Sequence, residues 1–256
     1  MKICSLFSGI GGLELGLEAA GVGETLWQVE QDAFCRSVLA KHWPEARRFD
    51  DVRTVRAGDI AGAELICGGF PCQDISRGNP KGVGLAGARS GLWWEFARLI
   101  RAVLPRFVVI ENVPILASRG RGLDVILREI AQSGYDADWD IVSARAVRAC
   151  HRRDRLFIIA WLRDFADSDG EPVRQLAERK EGGRVNIQAG GKAGASEDGA
   201  PRIAGRPWQA LGSVCPVDDG VPGRVAMLRA LGNAVVPQVA YQVGLRVKQI
   251  AEASTI

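Results

Sequence analysis

Two side chains of this sequence stand where covalent chemistry could be done. One is the thiol of Cys72, which follows Gly68-Gly69-Phe70-Pro71; the other is the carboxylate of Glu111, which ends the apolar run Phe107-Val108-Val109-Ile110. A lone cysteine is more often a small buried hydrophobe, yet the stiff glycine- and proline-bounded stretch before Cys72 has no evident use in a packed core. Glu111 is followed by Asn112, Val113 and Pro114, so a carboxylate and an amide mark the end of a strand and a proline constrains the exit. Taken singly, Glu111 is equally a surface charge at a strand end. A thiol and a carboxyl at the ends of two parallel strands, however, describe one site holding a nucleophile and an acid.

A third feature is the turn Leu6-Phe7-Ser8-Gly9-Ile10-Gly11-Gly12-Leu13, which leaves a predicted strand and opens a predicted helix over Leu13 to Ala20. Glycines there let the backbone turn tightly and let a ligand approach the helix N-terminus without interference from Cβ atoms. Such a turn can serve a dinucleotide, another ligand or none. The dinucleotide spacing G-x-G-x-x-G is not met, so an adenosyl ligand without pyrophosphate fits better. Glu30, some twenty residues on, is placed to accept hydrogen bonds from ribose hydroxyls or is a solvated loop acid. Asp51 meets an adenine amino group or is a turn residue.

Short apolar runs alternate with helical-period segments from Lys2 to about Leu162. This is the pattern of strands joined by crossover helices in a parallel sheet. The strand candidates are Ile3 to Phe7, Thr25 to Val29, Glu64 to Cys67, Phe107 to Ile110 and Leu156 to Trp161. In open α/β sheets ligands bind at the carboxyl ends of such strands, where the three features lie. Between Ala166 and Pro207 the chain is rich in Gly, Ala and charge and poor in large apolar residues, too little to support a core of its own. Ordered sequence resumes near Trp208, and Val225 to Val247 reads as a turn and one helix, with Val235, Val239, Val243 and Val247 at four-residue spacing. The organisation expected is a catalytic and cofactor-binding domain over 1–165, a small target-recognition region over 166–224 and a C-terminal helix over 225–256 returning to the first domain.

Composition narrows the class. Of 256 residues, 47% are hydrophobic and 25% charged, as in ordinary globular proteins. The net charge of +3 is no strong basic field and would not by itself point to nucleic acid. Six cysteines form neither a CxxC pair nor a regular framework, so neither a bound metal nor a disulfide scaffold is expected. With no apolar run long enough for a signal core or a membrane span, the expected location is the cytoplasm.

These motifs, in this order, resemble the cytosine-5 DNA methyltransferase family. Its F-x-G-x-G, P-C, E-N-V and G-N signatures are matched by Phe7 with Gly9 and Gly11, Pro71-Cys72, Glu111-Asn112-Val113, and Gly232-Asn233. The family's Q-x-R-x-R is matched by His151-Arg152-Arg153-Asp154-Arg155, with His replacing Gln, and Ser5 stands where many members carry Asp. The resemblance covers roughly residues 2 to 163 and 225 to 247. It implies an α/β fold: a Rossmann-like S-adenosylmethionine-dependent methyltransferase sheet with a small target-recognition region.

The resemblance also implies a mechanism. Cys72 attacks C6 of a cytosine extruded from duplex DNA, Glu111 stabilises charge developing at N3, Arg155 holds O2, and Arg153 shapes the site. The methyl donor is S-adenosylmethionine, with Phe7 on the adenine ring, Glu30 on the ribose, Asp51 and Val52 at the adenine edge, and Leu92, Asn233 and Val235 completing the pocket. The loop Gln73 to Gly87 is a natural lid, and Arg77 and Lys81 within it and Arg89 just after it could meet phosphates as it closes. The implied partner is double-stranded DNA bound by a monomer; an accompanying restriction enzyme is left open. The stretch Ala166 to Arg224 holds eight Lys or Arg and nine Asp or Glu, so it is no basic clamp. Two rival functions are a tRNA cytosine-5 methyltransferase, from a branch of the same family, and a non-catalytic DNA-binding relative, against which the intact Cys72, Glu111 and Arg155 argue.

Overall fold

The computed structural model describes residues 1–71, 91–118, 120–149, 151–163 and 224–253. Their strands are β1 (Lys2–Leu6), β2 (Glu24–Val29), β3 (Arg47–Phe49), β4 (Leu65–Gly68), β5 (Phe107–Asn112), β6 (Tyr135–Ser143) and β7 (Asp154–Leu162). The helices are α1 (Gly12–Ala19), α2 (Ala33–His42), α3 (Leu92–Val103), α4 (Leu123–Gln132), α5 (Arg224–Asn233) and α6 (Pro237–Ala253). All seven strands join one sheet in the order β3-β2-β1-β4-β5-β7-β6. The chain steps from β1 outward to β2 and β3, then returns to β4 on the other side of β1. The crevice at that reversal is where α/β sheets bind ligands.

The sheet corrects the expectation of an all-parallel arrangement. β1 to β5 pair in parallel, but β7 runs antiparallel to both its neighbours, β5 and β6. The cause is connection length. Only Ala144–Arg153 lies between β6 and β7, shorter than a crossover between parallel strands requires.

The alternation along the central strands explains the layers. Cys4, Leu6, Ile66, Val108 and Ile110 point to one face, where Trp93 and Phe96 of α3 and Ile126 and Ile130 of α4 cover them. Ile3, Leu65, Cys67, Phe107 and Val109 point to the other, under Leu13 and Leu17 of α1 and Val239, Val243 and Val247 of α6. Because both faces are covered, these strands are apolar throughout rather than alternating.

The C-terminal end is two helices, not a turn and one helix. α5 ends at Asn233, and Pro237 then starts α6, a residue favoured at a first helical position because its missing N–H costs nothing there. α6 lies against α1 so closely that a Cβ on Gly16 would collide with Ala240 and the Pro237 carbonyl. That contact carries the segment before α6 to the glycine turn.

Candidate active site at the carboxyl ends of the strands

Glu111 is the penultimate residue of β5, buried to 9% exposure, and its Oε1 lies 2.8 Å from Nε of Arg155 on β7. The two meet because β7 is antiparallel: its first residues lie beside the carboxyl end of β5, with Asn112 opposite Leu156. Burial pushes the Glu111 carboxyl up from its ordinary value, and the guanidinium groups of Arg155 and Arg153 pull it part of the way back. A carboxyl so placed can hold a proton for a substrate atom. Arg153 donates through Nη1 to the carbonyl of Gly232 at 2.6 Å, joining the arginine motif to the Gly-Asn motif. Its Nε and Nη2 are buried without a partner among the described residues.

The chain leading to Cys72 is fixed against this pair. A Cβ on Gly69 would stand 2.5 Å from Oε2 of Glu111, so only glycine lets the strand end pass the carboxylate this closely. Asn112 donates through Nδ2 to the carbonyl of Phe70 at 3.3 Å and accepts from the amide of Val113 at 2.8 Å. The Phe70 ring is buried against Trp93, with centroids 5.5 Å apart. Together these hold the backbone up to Pro71 beside the carboxylate. Cys72 itself lies outside the described residues, as do the 73–87 lid with Arg77, Lys81 and Arg89, and the 166–223 part of the recognition region.

The glycine turn forms a second cluster. Gly11 caps α1 in the left-handed conformation at φ 86, open to glycine at little cost, and its amide donates to Ser8 at 3.0 Å. Phe7 also has positive φ, 58, which is uncommon for a non-glycine residue and marks strain held by its surroundings. Its ring stacks on Phe96 at 6.4 Å, and Leu92 packs into the same apolar cluster. Glu30 reaches across from the end of β2: Oε2 accepts from the Gly9 amide at 2.7 Å and Oε1 from the Asp32 amide at 2.7 Å. Among the described residues, no atom beyond Gly9 and its two chain neighbours lies within 4 Å of where a Cβ on Gly9 would stand. An adenosyl group fits this arrangement, since the turn is open at Gly9 and the adjoining carboxylate keeps lone pairs for hydroxyl donors.

The remaining expected residues divide. Val235 meets the turn, its carbonyl lying where a Cβ on Gly12 would be. Val52 is buried, and its carbonyl accepts from Arg98 at 3.1 Å. Asp51 instead directs its carboxylate at Arg53, in contacts of 2.7 to 3.0 Å, and Asn233 is exposed at the end of α5.

Glu14, in the first turn of α1, was not among the expected site residues. It is completely buried, and burial pushes its carboxyl up to about 7. The Ser5 and Ser8 hydroxyls moderate that rise, but neither carboxyl oxygen reaches hydrogen-bond geometry with a partner among the described residues. Ser5 is also buried, and its hydroxyl accepts from that of Ser8 at 3.0 Å. The signal available in the sequence was the helical position of Glu14, one residue after the apolar Leu13 in a helix covered on several sides.

This geometry can be set beside known proteins. The model of the C-5 cytosine-specific DNA methylase family matches residues 1–190. Type II methyltransferase M2.BsuMI of Bacillus subtilis (strain 168) is 36% identical over 168 residues, 63% of this chain and 42% of that protein. Type II methyltransferase M.Sau3AI of Staphylococcus aureus is 31% identical over 184 residues, 64% of this chain and 44% of that protein. The chain thus spans somewhat under half the length of these curated relatives. Among solved structures, a prophage-encoded protein of E. coli assigned as a DNA modification methyltransferase superposes with a TM-score of 0.54 at 28% identity, over 63% of this chain and 47% of that one. A mutant DNMT2 of Spodoptera frugiperda gives 0.53 at 20% identity, over 64% and 51%, a likeness of fold alone. Since the family model takes in the glycine turn, the strand leading to Cys72, the Glu111–Arg155 pair and the whole sheet, the chain belongs to the C-5 cytosine-specific DNA methylase family.

Proposed function

We propose that the protein is a DNA (cytosine-5-)-methyltransferase acting on a cytosine flipped out of double-stranded DNA. The observation that carries this is the buried Glu111–Arg155 pair against Gly69, three residues before Cys72. Cytosine is a poor electrophile, so thiolate addition needs help at the ring. The Cys72 thiolate forms a bond to C6 while Glu111 donates a proton to N3, where negative charge would otherwise build. Arg155 donates to O2 and keeps Glu111 oriented. Arg153, tied to Gly232, shapes the site with its remaining donors. When bound, S-adenosylmethionine would supply an electrophilic methyl group for C5, with S-adenosylhomocysteine as the leaving group. Loss of the C5 proton to a base, return of the N3 proton to Glu111 and breakage of the C6–sulfur bond, whose electrons leave with the Cys72 thiolate, then restore the aromatic ring.

For that cofactor, Glu30 would accept from the ribose hydroxyls, Phe7 would cover the adenine ring, and Asp51 and Val52 would meet its edge. Gly9, Gly11, Leu92, Asn233 and Val235 would complete the pocket. Extruding the base costs on the order of a few kcal/mol, and closure of the 73–87 loop would help to hold it. We assign choice of target to 166–224 and the return of the chain to the cofactor turn to 225–256. Among the described residues no helix is long and apolar enough to cross a membrane. The relatives' type II names make a cognate restriction enzyme a natural companion.

Bisulfite sequencing of DNA from cells expressing the chain tests the proposal. Converted-resistant cytosines at a recurring sequence are expected. Unmethylated DNA together with 5-methylcytosine in tRNA would move the protein to the tRNA branch, and no methylation of either would leave a non-catalytic relative.

A further inference from the structure

The connection between β6 and β7 carries four arginines, Arg145, Arg148, Arg152 and Arg153, and no acid in the ten residues 144–153. No other function has been given to its first half. The stretch 166–224, where target choice is assigned, has eight basic and nine acidic residues and so offers a duplex no net attraction. Phosphate contacts must come largely from elsewhere.

The connection is built to present its charges. Ala144 and Ala149 are buried, and Val147 packs into the cluster formed by α1 and α6, while Arg145 and Arg148 are exposed. A tight 3-10 turn over Ala144–Val147 fixes this alternation, with Arg148 donating its amide to Arg145 at 3.0 Å and Ala149 donating to Ala144 at 3.1 Å. Arg148 closes the turn in the left-handed region at φ 63, a conformation in which a long side chain is disfavoured and glycine or asparagine is usual. Arg152 is paired with Asp154 at 3.0 Å and Arg153 with the Gly232 carbonyl. Arg145 and Arg148 make no ion pair among the described residues. The turn follows Ser143 at the carboxyl end of β6, two strands from Glu111, which at about 4.8 Å per strand is roughly 10 Å across the sheet. With one phosphate per about 3.4 Å of helix axis on each strand, that spans a few nucleotides at most.

We propose that Arg145 and Arg148 form a preset docking surface for the phosphates of duplex DNA flanking the extruded cytosine. The surface rests on the duplex-methyltransferase reading and supplies sequence-independent affinity that 166–224 lacks. Each arginine neutralises one phosphate and releases its condensed counterions.

The test is fluorescence anisotropy of a labelled mixed-sequence duplex, titrated with the full chain from 50 to 300 mM KCl. Against the parent, Arg145→Gln/Arg148→Gln should flatten the slope of log K on log salt by about 1.8, at about 0.9 per phosphate, and weaken binding on the order of tenfold per lost contact at 0.1 M. Arg145→Lys/Arg148→Lys should keep the slope. Arg148→Gly, which suits the left-handed backbone, should stay folded and lose about 0.9, separating binding from any role in holding the turn. Affinity for S-adenosylmethionine, measured by calorimetry, should not change. An unchanged slope in the glutamine double variant, while the parent binds and methylates duplex, overturns the docking surface alone. A parent that neither binds nor methylates duplex overturns the methyltransferase reading with it.

Discussion

Glu14→Gln should make the folded protein increasingly more stable than the parent as pH rises. The Glu14 carboxyl is completely buried in the first turn of α1, with its acidity displaced from an ordinary 4.5 to about 7. The fold therefore accepts the protonated form, whereas the unfolded chain ionises freely above 4.5. Stability tied to this group is fully present below 4.5, falls between 4.5 and about 7, and is gone above that. At about 1.36 kcal/mol per pH unit the loss is on the order of 3 kcal/mol, a large share of the 5 to 15 kcal/mol typical of a domain. Glutamine keeps the shape and cannot ionise. Urea unfolding of both proteins at pH 5, 6, 7 and 8 measures the difference, in which other titrating groups cancel. The expected advantage of the variant is under about 1 kcal/mol at pH 5 and on the order of 3 kcal/mol at pH 8. An advantage that stays constant across this range would show that Glu14 is not forced to choose between its proton and the fold.

Gly69→Ala should place a methyl group against Oε2 of Glu111 and turn the carboxylate out of line with Arg155. Single-turnover methylation should slow on the order of 100-fold, the usual effect of misplacing a reacting group by about 1 Å, with cofactor affinity by calorimetry unchanged. Glu30→Ala should weaken S-adenosylmethionine binding by about 1.5–3 kcal/mol, the worth of hydrogen bonds to a charged group; unchanged affinity in a folded variant would reduce Glu30 to a brace for the Gly9 and Asp32 amides.

The strands that position the site were legible because both faces of the central sheet are covered. Burial on both sides turns β1, β4 and β5 into short unbroken apolar runs, and each stops where polar or glycine residues begin. β6 was not legible: in Tyr135-Asp136-Ala137-Asp138-Trp139-Asp140, acids at every second position look like a solvated stretch. In the fold Asp136 and Asp138 face Arg163 and Arg246. β3 is three residues long and leaves no periodic signal. At the site, Glu111 and Cys72 stood out through their neighbours, but the partnership of Glu111 with Arg155 depends on the antiparallel turn of β7. No spacing in the chain announces that turn. Residue types likewise gave no warning that Asp51 would be engaged by Arg53, or that a carboxyl as deep as Glu14 would lie beneath the glycine turn.

In the proposed reaction Cys72 becomes covalently bonded to cytosine beside Glu111. The direct measurement is trapping on a random-sequence duplex library carrying 5-fluorocytosine, in which fluorine cannot leave C5 as the proton does, so that the C6–sulfur bond persists after methyl transfer. In the presence of S-adenosylmethionine the parent chain should form a denaturant-resistant protein–DNA adduct whose DNA-linked peptide contains Cys72, and Cys72→Ala should form none. Adduct of equal yield from the alanine variant, or its absence from a folded parent that binds both DNA and cofactor, would contradict the account.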